Sequence, residues 1–241
     1  MSQLQSNFPL HDFYADIYST YDRVNRIFTF GRDRSWRKKA VRACLQNHPS
    51  SVLDVCTGTG DFILEVASVS DHSISLTGYD FSKEMLHVAR QKQALLAGAN
   101  LPLINFVEGE VAQMPFPENS FDAVGITFGI RNLVYENSSA ARHLQELFRV
   151  LKPGGRLVVL ESSKPVNKAW RVLNNIYLHM ILPYLGGIIS GNLKAYRYLA
   201  KSSQNYYTIN EMENILQAAG FRIVSGESLF LGSVMLVVAQ K

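Results

Sequence analysis

Between residues 51 and 162, short apolar runs alternate with longer segments whose apolar positions recur every three or four residues. The short runs are SVLDVC, SISLTGYD, LINFVEGE, FDAVGITF and GRLVVLES. Runs of this length and composition predict strands buried on both faces of a parallel sheet, with helices between them. Ser82 is placed to cap the helix KEMLHVARQKQALLAG. In SSAARHLQELFRVL, the residues Leu144, Leu147, Phe148 and Leu151 follow the i, i+3, i+4, i+7 spacing of one buried face. Pro153-Gly154-Gly155 then predicts a sharp helix stop that turns the chain into the fifth strand.

After residue 209 the pattern predicts one more helix, NEMENILQAAG, and two strands, FRIVSGESLF and SVMLVVAQ. Only a couple of residues separate those strands, so they are expected to pair as an antiparallel hairpin. There is no repeat and no low-complexity linker. The chain therefore reads as one doubly wound α/β domain over residues 1–241. A helical N-terminal segment covers 1–48, and an insertion covers 162–209.

Composition narrows the function more by exclusion than by suggestion. Hydrophobic residues make up 47% and charged ones 18%, which excludes a disordered chain. A net charge of +4 is too mild to indicate nucleic acid unless it is clustered. Cys44 and Cys56 form no Cys-x-x-Cys pair, and the six histidines are scattered, so neither a disulfide framework nor a metal site is predicted. The start MSQLQSNFPLHDF lacks secretory and transit features, and no apolar run reaches the roughly 20 residues of a spanning helix. A cytoplasmic bacterial protein is expected.

The stretch VLDVCTGTGDF, residues 52–62, carries the chemistry. A strand, a glycine loop and a helix place unpaired N–H groups and a positive helix end at the strand's carboxyl edge. The dinucleotide fingerprint G-x-G-x-x-G fails here, because Gly58 and Gly60 are followed by Ile63 at the third position. This weighs against a nicotinamide oxidoreductase, the alternative enzyme class. Asp80 closes the second strand and can accept both hydroxyls of a ribose. Glu110, after the third strand, can meet an adenine amino group. Ribose and adenine contacts without a pyrophosphate cradle suggest S-adenosylmethionine, with the glycines letting the backbone approach its methionine part.

Five stretches give the chain a family likeness: YDRVNRIFTFGRDRSWRKKAV, LDVCTGTGD, MPFPENSFDAVGITFGIRNL, VLKPGGRLVVLESSKP and YRYLAKS. Together they resemble the ubiquinone/menaquinone biosynthesis C-methyltransferases, class I enzymes dependent on S-adenosylmethionine. The resemblance implies a Rossmann-like, seven-stranded, mostly parallel sheet with a C-terminal antiparallel hairpin and helices on both faces. It implies C-methylation of a polyprenyl quinol, demethylmenaquinol to menaquinol, with the benzoquinol of the ubiquinone pathway as the alternative. The family's cofactor positions fall on Thr59, Asp80, Glu110, Val111 and Thr127, beside Gly58 and Gly60 of the loop. Asn or Asp is commoner at the position of Glu110, and Ser at that of Thr127.

Transfer of a methyl group to a ring carbon needs an electron-rich ring, which loss of a quinol hydroxyl proton provides. Arg131 in FGIRN follows the fourth strand, over the cofactor loop, where a fixed cation lowers the cost of a phenolate. The alternative is that Arg131 pairs with an acid and braces the loop. Asn132 can orient the ring oxygen or a water, and the resemblance implies that the Arg-Asn pair assists deprotonation. Tyr21 and Asn25 belong to an N-terminal lid or simply pack. Asp61 serves the cofactor's amino group or caps a helix, and His179 is read as a bystander.

From Glu161 to Glu211 no acid intervenes, while Lys164, Lys168, Arg171, Lys194, Arg197 and Lys201 are interleaved with large apolar residues. In this stretch MILPYLGGII is broken by Pro183, Gly186 and Gly187, so it cannot span a bilayer. Such a segment suits a surface docking on anionic lipid at the inner face of the membrane and accepting a prenyl chain. Two other readings are a nucleic-acid surface, which the many aliphatics disfavour, and a helical cover for the core. A homodimer is left open by the sequence.

Overall fold

In SVLDV, Val52, Leu53, Asp54 and Val55 have no exposed surface, because the strand lies mid-sheet with helices on both sides. The computed structural model describes residues 21–96, 98, 100–190 and 206–241. In chain order the elements are α1 (Tyr21–Phe28), α2 (Asp33–Leu45), β1 (Ser51–Val55), α3 (Asp61–Val69), β2 (Ser75–Asp80) and α4 (Lys83–Leu95). There follow β3 (Ile104–Glu108), β4 (Phe121–Thr127), α5 (Ile130–Val134), α6 (Ala140–Val150) and β5 (Leu151–Ser162). The last are α7 (Lys168–Ile176), α8 (Leu182–Ser190), α9 (Ile209–Ala218), β6 (Arg222–Leu229) and β7 (Val234–Gln240).

The sheet order is β3-β2-β1-β4-β5-β7-β6, and β7 alone runs antiparallel to the rest. This is the seven-stranded arrangement expected from the sequence. Alternation along each strand feeds two cores. Leu53, Val55, Leu157 and Val159 join one, with Leu144 and Leu147 of α6 and Met212 and Leu216 of α9. Val52, Val158 and Leu160 join the other, with residues of α2, α3 and α4. Chain direction reverses its crossover between β1 and β4, so the loops leaving both strands diverge and open a crevice at their carboxyl ends.

Local signals account for most of the boundaries. The Ser82 hydroxyl accepts from the Met85 N–H at the start of α4, as its position predicts. Thr208 and Glu211 form a reciprocal capping box on α9. Three expectations need correction. Leu151 does not complete the face of α6; it already pairs with Phe121 as the first residue of β5, and Pro153-Gly154-Gly155 forms a bulge inside that strand. The β6–β7 connection takes four residues, because Phe230 turns inward against Trp36 and Trp170. Pro183, Gly186 and Gly187 do not break α8, which continues directly from the preceding turn, where the wider spacing accommodates the N–H that Pro183 lacks. The irregularity comes just before, as a π-turn over Tyr177–Ile181.

Gly125 in β4 tests how tightly the sheet is packed. A Cβ there would stand 2.2 Å from the ring of Phe62, itself wholly buried. Gly125→Ala is expected to cost about 1–3 kcal/mol through overpacking. Urea denaturation should show a lower midpoint at unchanged slope, and an unchanged midpoint would mean the ring yields freely.

Candidate active site

The loops leaving β1 to β4 converge on one cavity of ≈ 150 Å³. Its wall includes Gly58, Thr59, Asp80, Glu110, Val111 and Thr127, six of the seven positions expected to meet the cofactor. Gly60 is outside that wall. It begins α3 in the left-handed conformation at φ 82°, where a Cβ would stand 3.0 Å from that of Ala89, so its service is to helix start and to α4 packing. Gly58 is also left-handed, at φ 55°, and an added Cβ would meet nothing within 4 Å. The backbone there borders open space.

Asp80 closes β2 with one carboxylate oxygen accepting from the Gly58 N–H at 2.8 Å and the other from the Ser82 N–H at 2.9 Å. Burial pushes its carboxyl up to about 6, against the pull of those N–H groups. With the Phe81 backbone also engaging it, the carboxylate keeps lone-pair capacity for a further donor such as a ribose hydroxyl. With Val111 as an apolar wall and Glu110 beside it, this donor and acceptor set fits S-adenosylmethionine.

The helix α1 lies across the same site. Its Asp22 accepts from the Thr59 hydroxyl at 2.7 Å and pairs with Lys92 at 2.5 Å. Lys92 also pairs with Asp61 at 2.5 Å, and Arg37 reaches Asp61 at 3.5 Å and Asp33 at 3.3 Å. Burial works to raise the Asp61 carboxyl, yet Arg37 and Lys92 outweigh it and hold it below the usual carboxylate range. Three acids and two bases thus tie α1 and α2 to the glycine loop. The cavity is smaller than the few hundred cubic ångströms that ligand sites usually offer, and α1 forms part of its wall.

A second, larger cavity of ≈ 360 Å³ adjoins the first. Tyr21, Asn25, Asp33, Arg37 and Phe128 wall both. Its sides are apolar and aromatic, with Phe28, Trp36, Trp170, Tyr177 and Phe230 from α1, α2, α7, the π-turn and the β6–β7 connection. The wall also carries charge: Arg131 and Glu161 belong to it beside Asp33 and Arg37, and Glu161 Oε2 accepts from the Arg131 backbone N–H at 3.2 Å. Burial pushes the Glu161 carboxyl above its ordinary range, against the pull of the Arg131 cation. Asn132 faces the smaller cavity instead, so the FGIRN turn serves both.

That turn is strained and tightly held. Phe128 has φ 57° and Cys56 φ 56°, both left-handed without being glycine, and a Cβ on Gly129 would stand 2.4 Å from that of Cys56. Only glycine lets the two loops touch there. His179 is exposed on the π-turn and outside both cavities.

Phe128, Glu161, Asp22 and Lys92 are not singled out by the sequence reading. Phe128 stands inside FGIRN and was legible with it, and Glu161 is visible as the last acid before the acid-free stretch. Asp22 and Lys92 are 70 residues apart and carry no local signal. Lys194, Arg197, Lys201 and the YRYLAKS stretch lie outside the described residues, as do residues 1–20 of the N-terminal segment. No group of three or more potential metal ligands occurs among the described residues.

The profile of the ubiE/COQ5 methyltransferase family matches residues 1–241. The chain belongs to that family. A demethylmenaquinone methyltransferase from Thermus thermophilus is 40% identical over 211 residues, 87% of this chain and 91% of that one. A protein of Geotalea daltonii named ubiquinone/menaquinone biosynthesis C-methyltransferase UbiE is 37% identical over 232 residues, 96% of each chain. Among solved structures, an S-adenosylmethionine-dependent methyltransferase from Aquifex aeolicus is similar with a TM-score of 0.56 at 21% identity, covering 79% of this chain and 81% of that one. The [4+2]-cyclase SpnF is similar with a TM-score of 0.67 at 17% identity, over 96% and 94% of the two chains. Those two likenesses speak for the fold alone, and SpnF shows that the fold does not dictate the reaction. Membership of the ubiE/COQ5 family makes this chain an S-adenosylmethionine-dependent methyltransferase, which agrees with the donor set around Asp80.

If Asp80 holds the ribose of the cofactor, its raised carboxyl gives binding a pH dependence. Its carboxyl is raised from 3.8 to about 6, so its ionisation works against the fold as pH rises across that interval. Ribose hydroxyls favour the ionised form, so cofactor binding should instead strengthen as pH rises through about 6 and level off above 7. In Asp80→Asn, calorimetry should find that rise abolished and affinity at pH 7.5 weaker by roughly 2–3 kcal/mol. A folded variant with wild-type affinity would remove Asp80 from the ribose.

Proposed function

We propose that this methyltransferase acts on a polyprenylated quinol, converting demethylmenaquinol to menaquinol by methylating a ring carbon. The supporting observation is the larger cavity, long-walled by aromatic side chains, with Arg131 and Glu161 in its wall, and joined to the cofactor cavity at Tyr21, Asn25 and Phe128. A flat ring with a hydroxyl suits that charged pair, and an apolar tail suits the aromatic walls. The names of the Thermus and Geotalea relatives agree with a quinol acceptor.

Bound beside Gly58, Asp80 and Thr127, S-adenosylmethionine supplies an electrophilic methyl group. The protein's share is then to orient the ring and favour its phenolate form. Asp80 takes the ribose, Glu110 and Val111 the adenine, and Gly58 and Thr59 the methionine part. Arg131 stabilises the phenolate as a buried cation, and Asn132, on the cofactor side, orients the ring oxygen. Tyr21 and Asn25 close the joint wall and keep water from it. Because the Geotalea relative's name covers both quinones, the benzoquinol of the ubiquinone pathway is the second substrate to test. Incubation with methyl-labelled cofactor and each reduced quinone, read by mass spectrometry, should show label on the naphthoquinol ring. Label on neither ring would overturn the reading.

The helices α7 and α8 also support docking at a lipid surface. Val172, Leu173, Ile176, Met180, Ile181, Tyr184 and Leu185 are all exposed, while Trp170, Tyr177 and Leu182 turn inward. The segment is therefore both cover and apolar surface. Phe30 at 70% and Leu173 at 57% exposure wall the larger cavity as well, so its mouth opens on this surface. Exposed Arg23, Arg26, Arg34 and Lys168 supply positive charge nearby in the chain. No helix of the described residues is long and apolar enough to cross a membrane, so attachment is peripheral. Leu173→Asp with Met180→Asp should reduce flotation with phosphatidylglycerol vesicles at least tenfold while sparing cofactor affinity. Unchanged flotation would leave the segment as a cover only.

A further inference from the structure

Two carboxylates stand in the wall of the larger cavity, Asp33 and Glu161. Asp33 is engaged by side chains on both oxygens, the Thr29 hydroxyl at 2.9 Å and the Arg37 guanidinium at 3.3 Å, and Arg37 continues to Asp61. It belongs to the ionic tie that holds α1 and α2. Glu161 is placed differently. It is the penultimate residue of β5, 0% exposed, with its oxygens accepting from the backbone N–H groups of Arg131 and Ser162. The carboxylate therefore stands in the cavity wall with no path of its own to bulk water.

We infer that Glu161 is the residue that takes the quinol's hydroxyl proton, with Arg131 holding the negative charge through the transfer. This rests on the quinol reading above. Before transfer, the Arg131 cation faces the Glu161 carboxylate. The quinol O–H bond then breaks, its electron pair stays on the ring oxygen, and the proton bonds to Glu161. Arg131 now faces a phenolate in place of a carboxylate. The summed charge of the buried group is unchanged, which is what a low-dielectric site requires. Methylation of the phenolate at the ring carbon leaves a neutral keto tautomer, which becomes the quinol when the ring-carbon proton moves to the ring oxygen after release. Glu161 gives up its proton to solvent when the cavity opens, so one proton leaves per turnover and the carboxylate is restored.

Burial raises the Glu161 carboxyl and so makes it a better base than an ordinary carboxylate. Among the described residues four titratable groups face it: Arg131 from α5, Tyr21 from α1, Tyr206 from the approach to α9 and Cys56 from the glycine loop. Burial raises Tyr21, Tyr206 and Cys56 above their ordinary values, so all three are neutral at physiological pH and Arg131 is the one charge among the four. The Tyr206 hydroxyl is buried without a hydrogen-bond partner among the described residues.

The test compares wild type, Glu161→Gln, Glu161→Asp and Asp33→Asn in turnover against pH, with cofactor affinity measured in parallel. Glu161→Gln should lose about 10²–10⁴-fold in turnover. It should also lose the plateau that the wild type reaches above its acid limb, its residual rate rising tenfold per pH unit without levelling until the quinol itself ionises. Glu161→Asp and Asp33→Asn should keep the plateau. Glu161→Gln with turnover within tenfold of wild type, or with the plateau intact, would overturn the assignment. If the glutamine variant does not bind cofactor, infrared difference spectra of wild type decide. Binding of quinol with S-adenosylhomocysteine should raise a protonated-carboxyl band, and its absence counts against Glu161. A wild-type chain that methylates neither quinol overturns the quinol reading and this step together, whereas an active wild type matched by Glu161→Gln overturns this step alone.

Discussion

The site depends on one constraint: carboxylates are buried at the ends of strands where water cannot reach them. Asp54 in β1, Asp80 at the end of β2 and Glu161 near the end of β5 are all shut from solvent. Burial pushes Asp54 up to about 8 and Asp80 up to about 6, and each also raises its neighbours. A parallel sheet with helices on both faces gathers such groups at one edge, because every strand but the antiparallel one ends there. The fold therefore concentrates negative charge where backbone N–H groups and a cationic ligand can answer it. Asp80 is answered by two N–H groups, and Glu161 by two more and by Arg131.

The rest of the site is imported. The sheet edge builds most of the smaller cavity, with α1 and α2 on its open side. The larger one needs α1 and α2 from before the sheet, α7 from within the acid-free stretch and Phe230 from the hairpin connection. These pieces are held by contacts between distant parts of the chain. The Tyr177 hydroxyl donates to the Phe28 carbonyl at 2.7 Å, and the Trp170 indole N–H donates to the Ser233 hydroxyl at 2.9 Å. Asp22 and Lys92 join the first helix to the glycine loop. A surface of salt bridges contributes little to stability, but these pairs are half-buried and linked, and their effect is to set where α1 lies.

What the sequence made legible follows from the range of the interactions involved. Strand order, the glycine loop, Asp80 and the cap at Ser82 depend on residues within one β-α-β unit, and their spacing reports them. The Pro153-Gly154-Gly155 bulge was misread as a helix stop because a turn signal does not say whether pairing resumes on its near or its far side; here Leu151 pairs before it and Arg156 after it. Gly60 was read as a cofactor contact on pattern alone, while its φ of 82° and the approach of Ala89 account for it without a ligand. Phe128 gave no sign of strain in sequence, since a left-handed aromatic is imposed by the contact of Gly129 with Cys56. Asp22 and Lys92 meet only because the chain folds back on itself, which no window along the sequence contains.

The sequence posed two roles for Arg131, a cation for the phenolate and a brace for the loop, as if one excluded the other. The geometry makes them a single requirement. A guanidinium at 6% exposure cannot stand in an apolar cavity without an anion, because desolvation of the lone charge would cost several kcal/mol. Glu161 is that anion before substrate arrives, and its bond to the Arg131 N–H fixes the turn on which the guanidinium is carried. The brace is thus what permits the cation to be buried at all. A neutral residue at position 161 would remove the carboxylate charge that the Arg131 cation faces. Within this fold, which SpnF shows can host other chemistry, a buried arginine and a buried carboxylate at the end of β5 stand together in the wall of the larger cavity.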